Sequence, residues 1–177
     1  MLPILLAFSC FLQSPVDHIA AGDSAGPMHP DVALRHYQAA LAVDSMSYEA
    51  NWKAARAIAD VAKQIQGNAD SLKDRRDSLY SLGRTYAERA IRADSTKADG
   101  HYVLAMVLGR LSRTKSSKER VRYAKIIYEE AARAVAINPE HDNAHHVLGA
   151  WNAEDMRNAL HFQRADDQFG ADLLRFI

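Results

Sequence analysis

Ala40-Leu41-Ala42-Val43-Asp44-Ser45, followed by Glu49-Ala50-Asn51-Trp52 and Ala54-Ala55, is a pattern that the chain carries three times. Its second copy is Ala90-Ile91-Arg92-Ala93-Asp94-Ser95, with Asp99-Gly100-His101-Tyr102 and Leu104-Ala105. The third is Ala134-Val135-Ala136-Ile137-Asn138-Pro139, with Asn143-Ala144-His145-His146 and Leu148-Gly149. Offsets inside each unit are identical, so the copies align without a gap, and a fixed internal repeat is the mark of a stacked architecture. Each unit reads as the end of one helix, a tight turn and the start of the next. Ala40, Ala90 and Ala134 are small where two helices cross, and Ala55, Ala105 and Gly149 repeat this on the following helix. Asp44, Asp94 and Asn138 stop the first helix through side-chain bonds to the local backbone, and Pro139 lacks the donor needed to continue it. Glu49, Asp99 and Asn143 then fall in the first turn of the next helix, where negative or amide groups suit the helix dipole.

These units resemble tetratricopeptide repeats, with the proline that usually follows the second helix kept only at Pro139 and replaced by Ser45 and Ser95. Ser45 precedes Ser95 by 50 residues and Ser95 precedes Pro139 by 44, against about 34 in the common repeat. The extra length falls at 64–76 and 110–120, where it extends helices or forms loops on one edge. The lengthened pattern resembles the repeat domain of the regulator of microtubule dynamics family and its bacterial relatives. Trp52-Lys53-Ala54-Ala55-Arg56-Ala57 carries the likeness in the first unit. In the second it is carried by Ala105-Met106-Val107-Leu108-Gly109-Arg110 with Lys118-Glu119-Arg120, and in the third by His145 through Glu154. The resemblance covers about 31–156 and implies an all-α fold: a right-handed α-solenoid of antiparallel helix pairs with lengthened repeats. Relatives of this type continue with further helices. The likeness brings no catalytic residue with it.

Composition agrees with this class. The chain has 177 residues, enough for one domain, with 48% hydrophobic and 25% charged side chains and only 5 Pro and 8 Gly, a globular, helix-forming balance. Its 22 basic and 22 acidic residues cancel, which gives no electrostatic case for nucleic acid as ligand. Residues 110–122 are basic and read as a solvated helix connection. Leu2 through Leu12 form an uncharged apolar run, too short to span a bilayer but suited to a secretory h-region. Residues 1–21 are therefore expected to be a signal peptide or lipoprotein signal. Cys10, the single cysteine, follows Ala7-Phe8-Ser9 in loose likeness to a lipid-processing site. That placement implies an exported protein of the periplasm or cell envelope, cytoplasmic if the run is not a signal, with any membrane contact made through an N-terminal anchor. Gly22, Gly26, Pro27 and Pro30 make 14–30 read as linker, bounded as 22–30 behind the signal. The helical repeat domain is expected over 31–170, with a tail at 171–177. Helices are expected near 31–43, 47–66, 71–93, 97–111, 117–137 and 141–156, with a last one to about 169. The first of these lacks a partner and serves as a half-repeat cap.

In a curved stack the first helix of each pair lines the concave side. That register selects Glu49, Trp52, Arg56 and Asp60 in one unit, Asp99, Tyr102, Met106 and Arg110 in the next, and Asn143 and His146 in the third. Large aromatics beside arginine suit capture of a peptide; the competing reading is that Trp52 and Tyr102 fill the seam between helices. His141 and His145 share a helical face, as paired zinc ligands do, but a metal needs three or four convergent ligands and Asp142 sits on the same turn, so no metal is expected. No Gly-x-Ser-x-Gly, phosphate loop or His-Glu-x-x-His occurs. Glu129 with Glu130, and Glu154 with Asp155, point to different faces of a helix. The expectation is a non-enzymatic module without cofactor that holds a protein or peptide segment on its concave face. The alternative is a self-associating scaffold of the cell envelope, suggested by apolar Leu173, Leu174, Phe176 and Ile177.

Overall fold

The computed structural model describes residues 14–162, with side chains through 152. Seven α-helices follow one another: α1 Pro15–Ala25, α2 Pro30–Val43, α3 Tyr48–Gln64, α4 Asp70–Ala93, α5 Ala98–Leu111, α6 Ser117–Ile137 and α7 Asp142–Phe162, with one 3-10 turn at Ser112–Thr114. No strand occurs among the described residues, and no helix there is long and apolar enough to cross a membrane. Each helix packs on its successor, while α3 also packs on α5 and α5 on α7. The chain is thus a stack of antiparallel pairs, α1/α2, α3/α4 and α5/α6, with α7 opening a fourth.

The repeated stretches build three turns of one geometry. Asp44, Asp94 and Asn138 leave the helical region with φ/ψ of −131/93, −158/99 and −132/97. Their N–H groups donate to the carbonyls of Ala40, Ala90 and Ala134, each at 2.9 Å. Their side-chain Oδ1 atoms accept from the N–H of Met46 (3.0 Å), Thr96 (3.0 Å) and Glu140 (3.1 Å). A further set of residues, equivalent in all three units, closes the turn from the next helix. Asn51 Nδ2 donates to the Ser45 carbonyl at 3.0 Å, His101 Nε2 lies 3.0 Å from the Ser95 carbonyl, and His145 Nε2 lies 2.8 Å from the Pro139 carbonyl. A polar side chain at this one position satisfies a turn carbonyl that the helix ends leave unpaired.

Close crossings follow the small residues. Ala40, Ala90, Ala134, Ala55 and Ala105 are wholly buried, and a Cβ on Gly83 of α4 would stand 3.0 Å from Ile58 Cγ2 of α3. Gly149 departs from its expected crossing role: a Cβ there would meet nothing within 4 Å, since no described helix lies over that side of α7. The main core gathers Val103, Leu104, Val107 and Leu108 of α5 with Tyr80 of α4 and Ile127 of α6. A second core joins Ile19, Ala33 and Tyr37 to Ala50 and Ala54. Each large apolar side chain in these clusters contributes about 1.5–3 kcal/mol by leaving water.

The N-terminal expectation needs correction. The segment read as linker contains α1, whose start carries a capping box in which Ser14 Oγ accepts from the Asp17 N–H at 3.2 Å and Asp17 accepts in return from the Ser14 N–H at 3.0 Å. Gly22 is a helix-crossing glycine, since a Cβ there would run into the Tyr37 ring. Pro30 is the first residue of α2, a position that needs no N–H donor. Only Gly26, at φ 57, and Pro27 behave as the turn they suggested. α2 therefore has a partner and is not a half-repeat cap. The added repeat length lies in α4 and α6, of 24 and 21 residues, and in the loops before them. Arg76 Nη1 donates to the Ile65 and Gly67 carbonyls at 3.0 and 2.9 Å, while Asp77 accepts from Thr114 at 2.6 Å and pairs with Lys115 at 3.1 Å, so one turn of α4 holds both loops. α7 runs without a break past 156, because no Pro or Gly occurs between Ala150 and Phe162 to stop it. The apolar run 2–12, Cys10 and the tail at 171–177 lie outside the described residues.

Candidate concave groove

The first helices α1, α3, α5 and α7 stand side by side, and polar side-chain contacts link them along the expected concave side. Lys53 of α3 donates to Asp23 of α1 at 2.7 Å and to Glu49 of its own helix at 2.6 Å. Tyr37 of α2 donates its hydroxyl to the other Asp23 oxygen at 2.8 Å. Burial pulls the Lys53 ammonium towards neutrality, but the hydrogen bonds to Asp23 and Glu49 outweigh it and leave the group above the ordinary lysine range. Burial first, then the Asp23 bond and charge, hold the Tyr37 phenol far above its usual range. Next in line, Arg110 of α5 lies 4.0 Å from Asp60 of α3 and donates to the Ala59 carbonyl at 3.4 Å. At the following step His141 Nε2 lies 3.5 Å from Asp99, with its ring 4.9 Å from that of Tyr102. His141 Nδ1 accepts from the Ala144 N–H at 3.2 Å, which sets the proton on Nε2.

Two clefts open along this side. One, of about 180 Å³, lies between the α1–α2 turn and α3 and is lined by Asp23, Pro27, Tyr37, Lys53, Arg56 and Asp60. A wider and shallower one, of about 630 Å³, lies at the start of α3 and α5, among Asp44, Tyr48, Glu49, Asp94, Lys97 and Asp99. Trp52 lines both. Tyr48 Oη accepts from the Gly100 N–H at 3.0 Å and so links the two turns; its burial pushes the phenol up to about 12.

The expected groove residues divide by burial. Trp52, Arg56, Asp60, Asp99, Met106 and Arg110 are half-buried, and Glu49, Asn143 and His146 are exposed. Tyr102 is only 8% exposed and belongs chiefly to the core. Trp52 packs against that core as well as facing the clefts. His141 and His145 are engaged by backbone at the third turn, and among the described residues no group of three or more potential ligands is placed to hold a metal. Sequence reasoning missed Asp23, Tyr37 and Lys53. Lys53 sits beside Trp52 and was within reach, but its partner Asp23 lay in the supposed linker.

The fold and this side of it define a tetratricopeptide-like helical repeat protein. A solved structure, "Crystal structure of MamA protein", superposes with a TM-score of 0.53 over 79% of this chain and 63% of that one at 17% identity, a likeness of fold. The profile of Regulator of microtubule dynamics protein 1-3 matches residues 16–157, and the chain belongs to this family. The match takes in α1. Among relatives, Regulator of microtubule dynamics protein 1 of Bos taurus is 29% identical over 61% of this chain, and protein 3 of the same species is 27% identical over 56%. Protein 1 of Homo sapiens is 28% identical over 56%. The matched part spans 33%, 20% and 31% of those proteins, a third of their length or less.

Proposed function

We propose that the chain is a protein-interaction module that grips an extended segment of another protein along the groove of α3 and α5. The observation that carries this reading is the placement of Trp52: half-buried, it lines both open clefts while it packs against the core. Rigidly held aromatics next to arginine concentrate binding energy. Arg56 lines the smaller cleft with Trp52, and half-buried Met106 of α5 lies one helical turn from both Tyr102 and Arg110. Proteins of this fold and family are typically non-catalytic, and the side chains along the groove are bound to one another as structural pairs. The relatives' names concern microtubule dynamics; with a third or less of those proteins matched, the proposal for this chain is confined to gripping a segment. Export or tethering outside the cytoplasmic membrane remains part of the proposal, on the strength of the apolar run 2–12.

Affinity capture with the wild type and with Trp52→Ala and Arg56→Ala tests the groove. Loss of the captured proteins with both variants supports it, and equal recovery overturns it. Tyr102 is unsuitable for this purpose, because truncating so buried a ring costs about 3–5 kcal/mol of stability.

A further inference from the structure

Among the described residues, the charged side chains along the groove each face a polar partner, with one exception. Lys53 is held by Asp23 and Glu49, Arg110 faces Asp60, and Asp99 faces His141. Arg56, on the same face of α3 one turn from both Trp52 and Asp60, makes no hydrogen bond or ion pair with any described residue. Asp60 is four residues away on the same helix, yet its carboxylate is directed to Arg110 of α5. Arg56 is half-buried and lines the smaller cleft, near enough to Tyr37 and Tyr102 for its charge to act on both phenols. Withdrawing a guanidinium from water without a counter-ion is unfavourable, and its five donors in a planar fork match a carboxylate. The wider cleft has an excess of carboxylates but is no counterpart. Asp44 and Asp94 there are committed to turns, and Glu49 and Asp99 to Lys53 and His141.

We propose that Arg56 is the anchor for an acidic side chain of the bound segment, an Asp or Glu flanked by an apolar residue that rests on Trp52. The inference rests on the groove reading above and narrows it to one partner chemistry. A planar bidentate contact at this point would fix the register of the segment, as such pairs do where geometry matters.

Selection of a phage-displayed library of random 12-residue peptides separates the two claims. The bait is the full chain, as wild type, Trp52→Ala, Arg56→Glu, Arg56→Lys and Arg92→Glu, the last being an exposed charge on α4. Circular dichroism and thermal unfolding establish that each variant is folded before use. The expected result is enrichment of Asp or Glu beside an aromatic or aliphatic residue on the wild type and Arg92→Glu. Arg56→Glu should weaken the selected peptides by at least about tenfold, with an intermediate loss for Arg56→Lys, the range for a charge-assisted hydrogen bond. Peptides that need Trp52 but are neutral or basic, or that ignore Arg56, overturn the carboxylate anchor and leave the groove reading intact. Peptides indifferent to Trp52, or no binder above background, overturn both. A change of oligomeric state in Arg56→Glu by light scattering, without acidic enrichment, assigns the face to a second copy of the chain and also overturns the anchor.

Discussion

His101 Nδ1 lies 2.6 Å from Glu130 Oε2, so the second turn is joined through one buried imidazole to the helix that follows. His101 is 2% exposed, and its other nitrogen lies 3.0 Å from the Ser95 carbonyl. Two acceptors favour the doubly protonated ring. The Glu130 bond raises the His101 pKa above its ordinary value of 6.5 despite opposition from burial, with the Ser95 carbonyl adding to the rise and the Arg133 charge working against it.

Because the folded-state value is raised, the pair stabilises fully at pH below the unfolded value of 6.5 and loses that contribution as pH climbs through the higher folded value. Thermal unfolding between pH 6 and 9 should therefore show the wild type losing its advantage over His101→Asn as pH rises. The asparagine keeps a donor where the first repeat has Asn51. A pH-independent gap between the two proteins contradicts this account of the pair.

Asn51 is the wholly buried counterpart of His101, and its Nδ2 donates to both the Ser45 and Ser47 carbonyls, at 3.0 and 2.8 Å. Urea unfolding of Asn51→Ala should show a loss of about 1–3 kcal/mol, since a wholly buried side chain and its two hydrogen bonds are removed while the Ser47 carbonyl keeps only the bond from the Asn51 backbone N–H. The exposed His145→Ala should lose less than about 1 kcal/mol, since water can replace its bond. Equal losses would mean that burial does not grade the three turn bonds.

Gly22 tests whether α1 belongs to the domain. Gly22→Ala places a methyl against the Tyr37 ring and is expected to cost about 1–3 kcal/mol, the usual penalty for overpacking. In a linker the same change would stay within about 0.5 kcal/mol. Calorimetric unfolding decides between the two.

The same helix moves any processing site. Cutting after residue 21 would strip α1 of Ser14, Asp17 and the buried Ile19. If a leader is removed, intact mass of the mature protein should place its new N-terminus at or before Ser14; a start at Gly22 would contradict the packing of α1.

The three turns were legible because their causes are local: an Asx side chain, a small residue four positions before it and an acid or amide five positions after it. The equivalence of Asn51, His101 and His145 was also present in the aligned units. It was obscured because three different neighbours, Trp52, Tyr102 and His146, drew the reading to the adjacent position. His141 and His145 resembled a ligand pair because i and i+4 share a face, yet backbone groups of the turn engage them. α1 was missed because Gly22 and Pro30 read as breakers. One serves a helix crossing and the other a helix start, a distinction that only the packed Tyr37 ring and the register of α2 reveal. Helical register alone put Trp52, Arg56 and Asp60 on one face, and these three line the smaller cleft. The bond from Lys53 to Asp23 spans 30 residues, and no local pattern announces it.

In the proposed function, partners are held on the face shared by α3 and α5. Site-specific photo-crosslinking addresses it most directly, with a benzophenone amino acid placed at Met106 on that face and, separately, at exposed Arg92 on α4. The account predicts a discrete set of protein adducts from Met106 that disappears with Trp52→Ala, and none of that set from Arg92. The same adducts from both positions, or adducts from Met106 that persist without Trp52, would contradict it.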